Sequence, residues 1–511
     1  MTETAPSSLP GPTPAAELSK KQVYTIFGGV MAGMFLSALD GTIINTALAT
    51  IVGELGGVKS YAWVGTAYLL TQTASTPLFG KLSDLYGRRL LFQIAIISFI
   101  VGSLLCGISQ TMWQLILSRG VQGIGGGGLF SLSFAIIGDV VAPRDRGRYV
   151  GFITSVFTVT SVIGPLIGGF IVDNTSWRWI FLINLPLGLI ALAITDRALR
   201  LPFNRVQRKV DYFGAFLLVL SVASLILALA WASEENGWLH VSTLGLVLVA
   251  AIGAVVFVKW EMKAPEPIIP MSMFTIDVVR TVIPMMFLVG TVFYGTNAFL
   301  PLYLQSVTGV SPTNSGLLLT PLAVSVAFSA TLIGRRTSKT GSYKVWPPFG
   351  TIMTLLALLV LTTLGPGDGY IVVAMIGSAL IGFGLGALMP TGTLAVQNAV
   401  QPHEMGTASS LVLFMRSLGG VIGLAAYGAL FNSRISGRID ESLIRRPTAI
   451  ADLPSEQKTL ALGVMTDAIT IVFWAAVPVI FVAALIAFRV PARPLRSNSA
   501  MQPGESSTTS H

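Results

Sequence analysis

The sequence predicts an all-α polytopic membrane protein with 14 transmembrane helices, and three observations carry that prediction. Apolar residues make up 53% of the 511-residue chain and charged residues only 11%, against about 25% charged in a typical soluble domain; the mean hydropathy is +0.75. The apolar residues fall into runs long enough to span a bilayer, near 23–51, 61–80, 90–109, 112–139, 148–172, 177–196, 211–232, 240–259, 281–305, 315–334, 346–364, 370–397, 406–431 and 467–488. With the N-terminal side taken as cytoplasmic, most of the 32 lysines and arginines lie in loops on that side, as the positive-inside rule requires. An even number of spans then puts both termini in the cytoplasm.

The same features exclude other classes. The net charge of +9 is accounted for by topology, so nucleic acid is not an expected partner. The single cysteine, Cys106, lies in an apolar run, which excludes an intramolecular disulfide and argues against a thiol metal site. His240, His403 and His511 sit at or beyond run ends, and no H-E-x-x-H occurs. An intramembrane enzyme, a metal site and a cofactor are therefore not expected. The proline-rich N-terminus lacks the apolar core and cleavage site of a signal peptide, so the first helix is expected to insert and remain.

An internal repeat organises the chain. Gly80 and Gly87 bracket the loop after the second run, and Gly334 and Gly341 bracket the loop after the tenth with the same spacing. The glycines from Gly123 match those from Gly382, and Gly164 and Gly168 match Gly419 and Gly423. The expected division is a cytoplasmic tail (1–22), a six-helix bundle (23–198), an inserted two-helix linker (199–262), a second six-helix bundle (263–488) with a long extracellular loop (432–466), and a second cytoplasmic tail (489–511). A parallel repeat of this kind is a known transporter architecture, with its binding site between the halves near the midplane.

Taken in order, the first run holds Asp40 on a face with Gly29, Gly33, Ser37 and Ala47. A carboxylate at the centre of a membrane helix costs about 2.5–3.5 kcal/mol on insertion scales. Function is one reason to keep it; the bland alternative is a helix-end acid reaching the surface. The second run aligns Gly65, Tyr68, Gln72 and Thr76 on one stripe. The loop Gly80-Lys81-Leu82-Ser83-Asp84-Leu85-Tyr86-Gly87-Arg88-Arg89 reads as a tight turn. Its Asp84 is placed to accept from helix N-terminal amides or from an arginine.

The fourth run holds a second buried charge, Arg119, with Gln122, Gly123, Gly126, Phe130 and Ser133 on its broad face. An arginine at that depth needs a carboxylate or helix carbonyls, and Asp40 and Asp84 are the candidates. Apolar burial disfavours an ionised carboxylate and a nearby cation favours it, so a rearrangement between the two can move a proton. Gly123-Ile124-Gly125-Gly126-Gly127-Gly128 contains a literal G-x-G-x-x-G, but no strand precedes it, and close helix packing is the physical reading. Gly164-Pro165-Leu166-Ile167-Gly168-Gly169 in the fifth run combines small residues with a removed backbone donor. Tyr294, Asn297, Gln397, Asn398 and Arg416 are the polar candidates for a cavity wall in the second half, where sparse polar groups in an apolar pocket suit lipophilic ligands. The run from Arg197 to Lys209 records topology. The loop 432–466 has the pattern of a surface amphipathic helix, and the tail after Arg496 reads as disordered.

The 80–89 loop resembles the signature of the major facilitator superfamily, and the resemblance then covers nearly the whole chain. Leu115 to Gly127 resembles the family's fourth-helix motif, and Gly164 to Gly169 that of its antiporters. Leu39 to Leu48, Trp177 to Pro186 and Phe299 to Gln305 resemble motifs of the fourteen-helix drug:proton antiporter branch. Ala49 stands where that first motif usually ends in proline, and the second-half loop lacks the acid. The resemblance implies the major facilitator fold (6+2+6) and proton-coupled export of lipophilic or cationic-amphiphilic compounds by alternating access. Asp40 and Arg119 would couple to protons. Gly80, Asp84, Gly87, Arg88 and Arg89 would gate the cytoplasmic side. Gly164, Pro165, Gly168 and Gly169 would seal the cavity against leak. Tyr68, Gln72, Gln122, Phe130, Tyr294, Asn297, Gln397, Asn398 and Arg416 would line it. The expected setting is a bacterial plasma membrane, with lipids, protons and a small lipophilic molecule as partners, a monomer, and the proton gradient as energy source. An exporter of an endogenous metabolite, siderophore or lipid fits the same fold.

Overall fold

The computed structural model describes residues 20–55, 61–141, 174–199, 210–234, 237–310, 312–367, 369–435 and 454–495, together with scattered positions between 149 and 172 and Arg438. Residues 1–19 and 496–511 of the two tails, the basic run 200–209, Pro165 and most of the loop after Ile435 lie outside the described residues. The first half is built from α1 (Lys20–Leu55), α2 (Tyr61–Tyr86), α3 (Arg88–Gly107), α4 (Met112–Val140), the short α5 (Trp179–Leu182) and α6 (Asn184–Ala198). The inserted pair is α7 (Tyr212–Glu234) and α8 (Val241–Glu261). The second half is α9 (Asp277–Ser306), α10 (Pro312–Leu318), α11 (Thr320–Thr340), α12 (Trp346–Leu361), α13 (Tyr370–Ala399), α14 (Met405–Ile435) and α15 (Ser455–Phe488). The described residues in the fifth apolar run are helical as well.

Among the described helices, 11 are long and apolar enough to cross a membrane. The remaining expected spans differ for physical reasons. Thr71, Gln72, Thr73, Ser75 and Thr76 dilute the apolar character of α2. The apolar α12 is only 16 residues long, and the fifth run is described in part. The expected loop 432–466 needs correction, because α14 continues to Ile435 and α15 already begins at Ser455. Glu456, Gln457 and Lys458 in the polar stretch after Ser455 are good helix formers, and the stretch extends the last span.

Lipid tails are as apolar as leucine, so helix association in a membrane depends on close packing and interhelical hydrogen bonds. The glycine repeat supplies both, in the same way twice. A Cβ at Gly123 would meet the Tyr68 carbonyl oxygen at 2.4 Å, and one at Gly127 would meet that of Gln72 at 2.4 Å. In the second half a Cβ at Gly382 would meet the Leu322 carbonyl oxygen at 2.2 Å, and one at Gly386 that of Val326 at 2.4 Å. The hydroxyl beside each crossing is also repeated. Ser75 donates to the Ile124 carbonyl at 3.2 Å, and Ser329 donates to the Phe383 carbonyl at 2.6 Å. The repeat read from the sequence is thus a repeat of helix crossings, α4 on α2 and α13 on α11.

This gives a direct test of packing. Gly386→Val is expected to lower stability by about 1–3 kcal/mol, the usual cost of overpacking, because the contact it meets is backbone. Gly28→Val is expected to be neutral, since nothing lies within 4 Å of a Cβ there. Thermal melting of the two purified variants in detergent checks the contrast.

The halves meet through α2 and α14, and through α4 and α14. The inserted α7 packs on α8, and also on α2 and α14 beside that junction.

Candidate functional site

Asp40 is fully buried on α1 and Arg119 is 2% exposed on α4. The Arg119 Nη1 donates to Asp40 Oδ2 at 2.6 Å and to Gln122 Oε1 at 2.7 Å. The other carboxylate oxygen, Oδ1, accepts from Gln122 Nε2 at 2.8 Å and from Asn184 Nδ2 at 3.3 Å. Ser103 on α3 ties the network together: its Oγ accepts from Gln122 at 3.2 Å and Asn184 at 3.0 Å, and donates to the Phe181 carbonyl at 2.9 Å. The guanidinium carbon stands 4.3 Å from the centre of the Tyr68 ring, in the range of a cation–π contact. A charge pair taken out of water is stable only with good geometry and satisfied remaining atoms; five helices and α5 supply these here, α2 through the Tyr68 ring and the Val64 carbonyl. Asp40 is therefore not a helix-end acid, and of the two candidates for Arg119 the partner is Asp40.

Beside this pair lies a cavity of about 520 Å³ between the halves. Its wall includes Tyr68, Gln72, Arg119 and Phe130 from the first half, and Tyr294, Asn297 and Arg416 from the second. Three expected wall residues are elsewhere. Gln122 belongs to the Asp40 network. Gln397 donates to the Phe134 carbonyl at 3.1 Å and to Ser409 Oγ at 2.8 Å, and Asn398 donates to the Pro494 carbonyl at 3.1 Å. Both lie in the last turn of α13, one turn beyond the cavity-lining Thr393.

On the side of the basic loops the halves are joined. Asp84, near the end of α2, accepts from the backbone N–H of Gly406 at 3.2 Å and of Thr407 at 2.9 Å, and from Thr407 Oγ1 at 3.0 Å. Gly406 and Thr407 open α14, so the carboxylate caps a helix N-terminus of the opposite half, where the helix dipole favours an anion. Arg88 bridges Asp84 and Asp139, at 2.6 Å from each. A Cβ at Gly80 would lie 2.1 Å from Ser410 Oγ and 2.8 Å from the Gly406 carbonyl oxygen. Gly87 adopts φ 92, a backbone conformation that favours glycine, and this turns the chain from α2 into α3. Arg89 differs from its neighbour: it pairs with Asp196 at 2.5 Å within its own half and, among the described residues, has no ion pair across the junction.

In the fifth run, a Cβ at Gly164 would lie 2.1 Å from Thr42 Oγ1, and Thr42 donates to the Thr160 carbonyl at 3.0 Å. Gly164 thus seats this run against α1 two residues after Asp40. Gly168 is buried, and Gly169 has nothing within 4 Å of a Cβ. At the far end of α1, Glu54 pairs with Arg178 and accepts from Trp177 Nε1 at 2.8 Å. Arg178, then Trp177, hold its carboxyl below the ordinary carboxylate range.

Sequence reasoning did not single out Ser103, Asn184, Asp139, Gly406 or Thr407. Asn184 carried a signal, a polar amide in an apolar run; the others look like ordinary helix residues until their neighbours are known.

The comparisons with known proteins agree with this architecture. The model of the Major Facilitator Superfamily matches residues 30–424. "Multidrug transporter protein MdtP" of Bacillus subtilis is 38% identical over 435 residues, covering 85% of this chain and 79% of the relative. "Multidrug resistance protein 3" of the same organism is 33% identical over 505 residues, covering 94% and 97%. The "Acurin A biosynthesis cluster MFS-type transporter" of Aspergillus aculeatus is 32% identical over 439 residues, covering 83% and 78%. Among solved structures, the proton:xylose symporter XylE superposes with a TM-score of 0.64 at 13% identity, covering 95% of this chain and 99% of that one, a likeness of fold. With its repeated helix crossings, its inter-half cavity and these relatives, the chain is a member of the major facilitator superfamily.

Proposed function

We propose that the protein is a proton-coupled antiporter that exports lipophilic small molecules by alternating access across a bacterial plasma membrane. In this reading it acts as a monomer with both termini cytoplasmic, divided 23–198, 199–262 and 263–488, and needs no cofactor beyond the proton gradient. The observation that carries the reading is the buried Asp40–Arg119 pair, one member of which lines the cavity while the other does not. Arg119 occupies the carboxylate oxygen at which a proton would otherwise bind. A rearrangement that draws Arg119 toward the cavity leaves Asp40 to take a proton as its replacement partner. Asn184 assists, because its Oδ1 is buried with no hydrogen-bond partner among the described residues; a turn of the amide offers it to a protonated Asp40. The Asp84 cap on α14 supports a cytoplasmic gate, closed in this arrangement.

The test is uptake of a fluorescent lipophilic compound into everted vesicles, with and without a protonophore. Gradient-driven transport that collapses with the protonophore is the expected result, and transport indifferent to it overturns the coupling. A second reading keeps the mechanism and makes the cargo an endogenous metabolite, siderophore or lipid; the relative named for a biosynthesis cluster favours it. Export by the native host of a compound it makes itself, lost on deletion of the gene, would decide for that cargo.

A further inference from the structure

The charge on the cavity wall is one-sided. Arg119 and Arg416 both line it, and no acidic side chain does among the described residues. Asp40 stands behind Arg119, fully buried and held by three side chains. Arg416 is different from Arg119: it takes part in no ion pair among the described residues, and its Nε is buried without a hydrogen-bond partner. The sequence offers it none at depth. Apart from Asp40, acids in the apolar runs occur only at run ends, as with Asp139, Asp196, Asp211 and Asp467. An unpaired guanidinium in a membrane helix is costly and marks a pathway for something that pairs with it.

The backbone holds this arginine in place. A Cβ at Gly290 would lie 2.0 Å from the Arg416 carbonyl oxygen, so α9 crosses α14 at that residue. One turn on, Tyr294 packs over Gly420, 2.3 Å from where a Cβ would be. Tyr294 and Asn297 therefore share the cavity wall with Arg416. Opposite stand Phe130, whose ring centre is 5.7 Å from the Arg416 guanidinium carbon, and Phe134.

We propose that Arg416, with Tyr294 and Asn297, forms an anion-binding subsite, and that the preferred cargo is a single-chain or drug-sized anionic amphiphile whose apolar body lies on Phe130 and Phe134. This rests on the export reading above and names its substrate class. It departs from the expectation of cationic amphiphiles, because a cation entering this cavity meets the Arg416 guanidinium, which has no ion pair, and no carboxylate on the wall among the described residues. A volume of about 520 Å³ is that of a site for one drug-sized ligand.

Three probes with one dansyl-labelled alkyl body test this, ending in a carboxylate, its methyl ester or a quaternary ammonium. Binding to the purified full-length protein is read by dansyl fluorescence. The wild type is expected to bind the carboxylate at least about tenfold more tightly than the ester, the worth of a hydrogen bond to a charged group, and the ammonium most weakly. Arg416→Gln removes the preference and Arg416→Lys keeps part of it. Arg416→Glu inverts it toward the ammonium, a gain that misfolding cannot produce. Equal binding of carboxylate and ester by the wild type, or an unchanged preference in Arg416→Gln, overturns the subsite. Gradient-driven uptake of the carboxylate into everted vesicles is scored separately. If the binding preference follows the charge at 416 and uptake ignores the gradient, the subsite stands and proton-coupled export falls.

Discussion

Asp40→Asn is expected to abolish gradient-driven export and also to destabilise the protein, and the two effects can be separated. Asparagine keeps the shape of the carboxylate and can still meet Gln122 and Asn184. It leaves Arg119, 2% exposed, as a buried cation without its anion. Breaking a buried pair from one side costs about 3–5 kcal/mol, so a lower melting temperature and lower yield are expected. Loss of transport in the single variant would therefore be ambiguous.

The double variant Asp40→Asn/Arg119→Gln resolves it. With both charges gone, two neutral polar side chains face each other among Gln122, Ser103 and Asn184, and the orphaned charge no longer exists. Stability is expected to return most of the way to wild type, a strong non-additivity of the kind contacting residues show. Coupling is not expected to return, because no carboxylate remains to take the proton. Melting temperature and pH-dependent efflux, measured on the four members of this cycle, check both statements. Normal pH dependence in Asp40→Asn, or its recovery in the double variant, would show that the proton travels elsewhere.

What the sequence discloses about this site follows from which signals need no neighbours. A charge inside an apolar run is visible alone, so Asp40, Arg119 and Arg416 stand out. The pairing of Asp40 with Arg119 across 79 residues could only be narrowed to two candidates. Ser103 and Asn184 are polar residues of a kind that more often bridges helices, and their role depends on four helices converging. Gln397 and Asn398 have the same chemistry as true wall residues and fail only by standing one turn beyond the wall. Glycine spacing was more informative, because it encodes backbone approach directly: Gly123, Gly127, Gly382 and Gly386 mark the same crossing in both halves.

That correspondence also shows what the repeat does not preserve. Aligning Gly123 with Gly382 brings Arg119 opposite Ser378 and Gln122 opposite Ile381. Aligning Ser75 with Ser329 brings Tyr68 opposite Leu322 and Gln72 opposite Val326. The crossings are symmetric while the polar groups are not. The close helix crossing inside each bundle is kept twice, and among the described residues the Asp40 carboxylate and its hydrogen-bond partners are confined to the first half.

The asymmetry extends to the junction, where only the first-half loop carries an acid, and there the second large effect is expected. Asp84→Ala should shift the protein toward the arrangement open on the basic-loop side. The carboxylate accepts three hydrogen bonds from Gly406 and Thr407, and all of them cross between the halves. Hydrogen bonds to a charged group are worth about 1.5–3 kcal/mol, and an anion at a helix N-terminus adds about 0.3–2 kcal/mol. Not all of this is lost on opening, since Arg88 remains within reach of Asp84 in the same half. A net bias of roughly 2–3 kcal/mol, on the order of a 100-fold change in the equilibrium, is expected. Ser410 reports it, because it faces Gly80 inside the closed junction and is fully buried. In a Cys106→Ser background, Ser410→Cys should react slowly with a membrane-impermeant maleimide, and much faster once Asp84→Ala is added. Gly80→Val should have the same effect by a different cause, since its side chain would overlap Ser410 and the Gly406 carbonyl. For that variant the reporter moves to Thr407→Cys. Two variants, one removing attraction and one adding a clash, must agree on direction. If Asp84→Ala leaves the labelling rate unchanged while Gly80→Val raises it, the junction closes by shape alone and Asp84 is no latch.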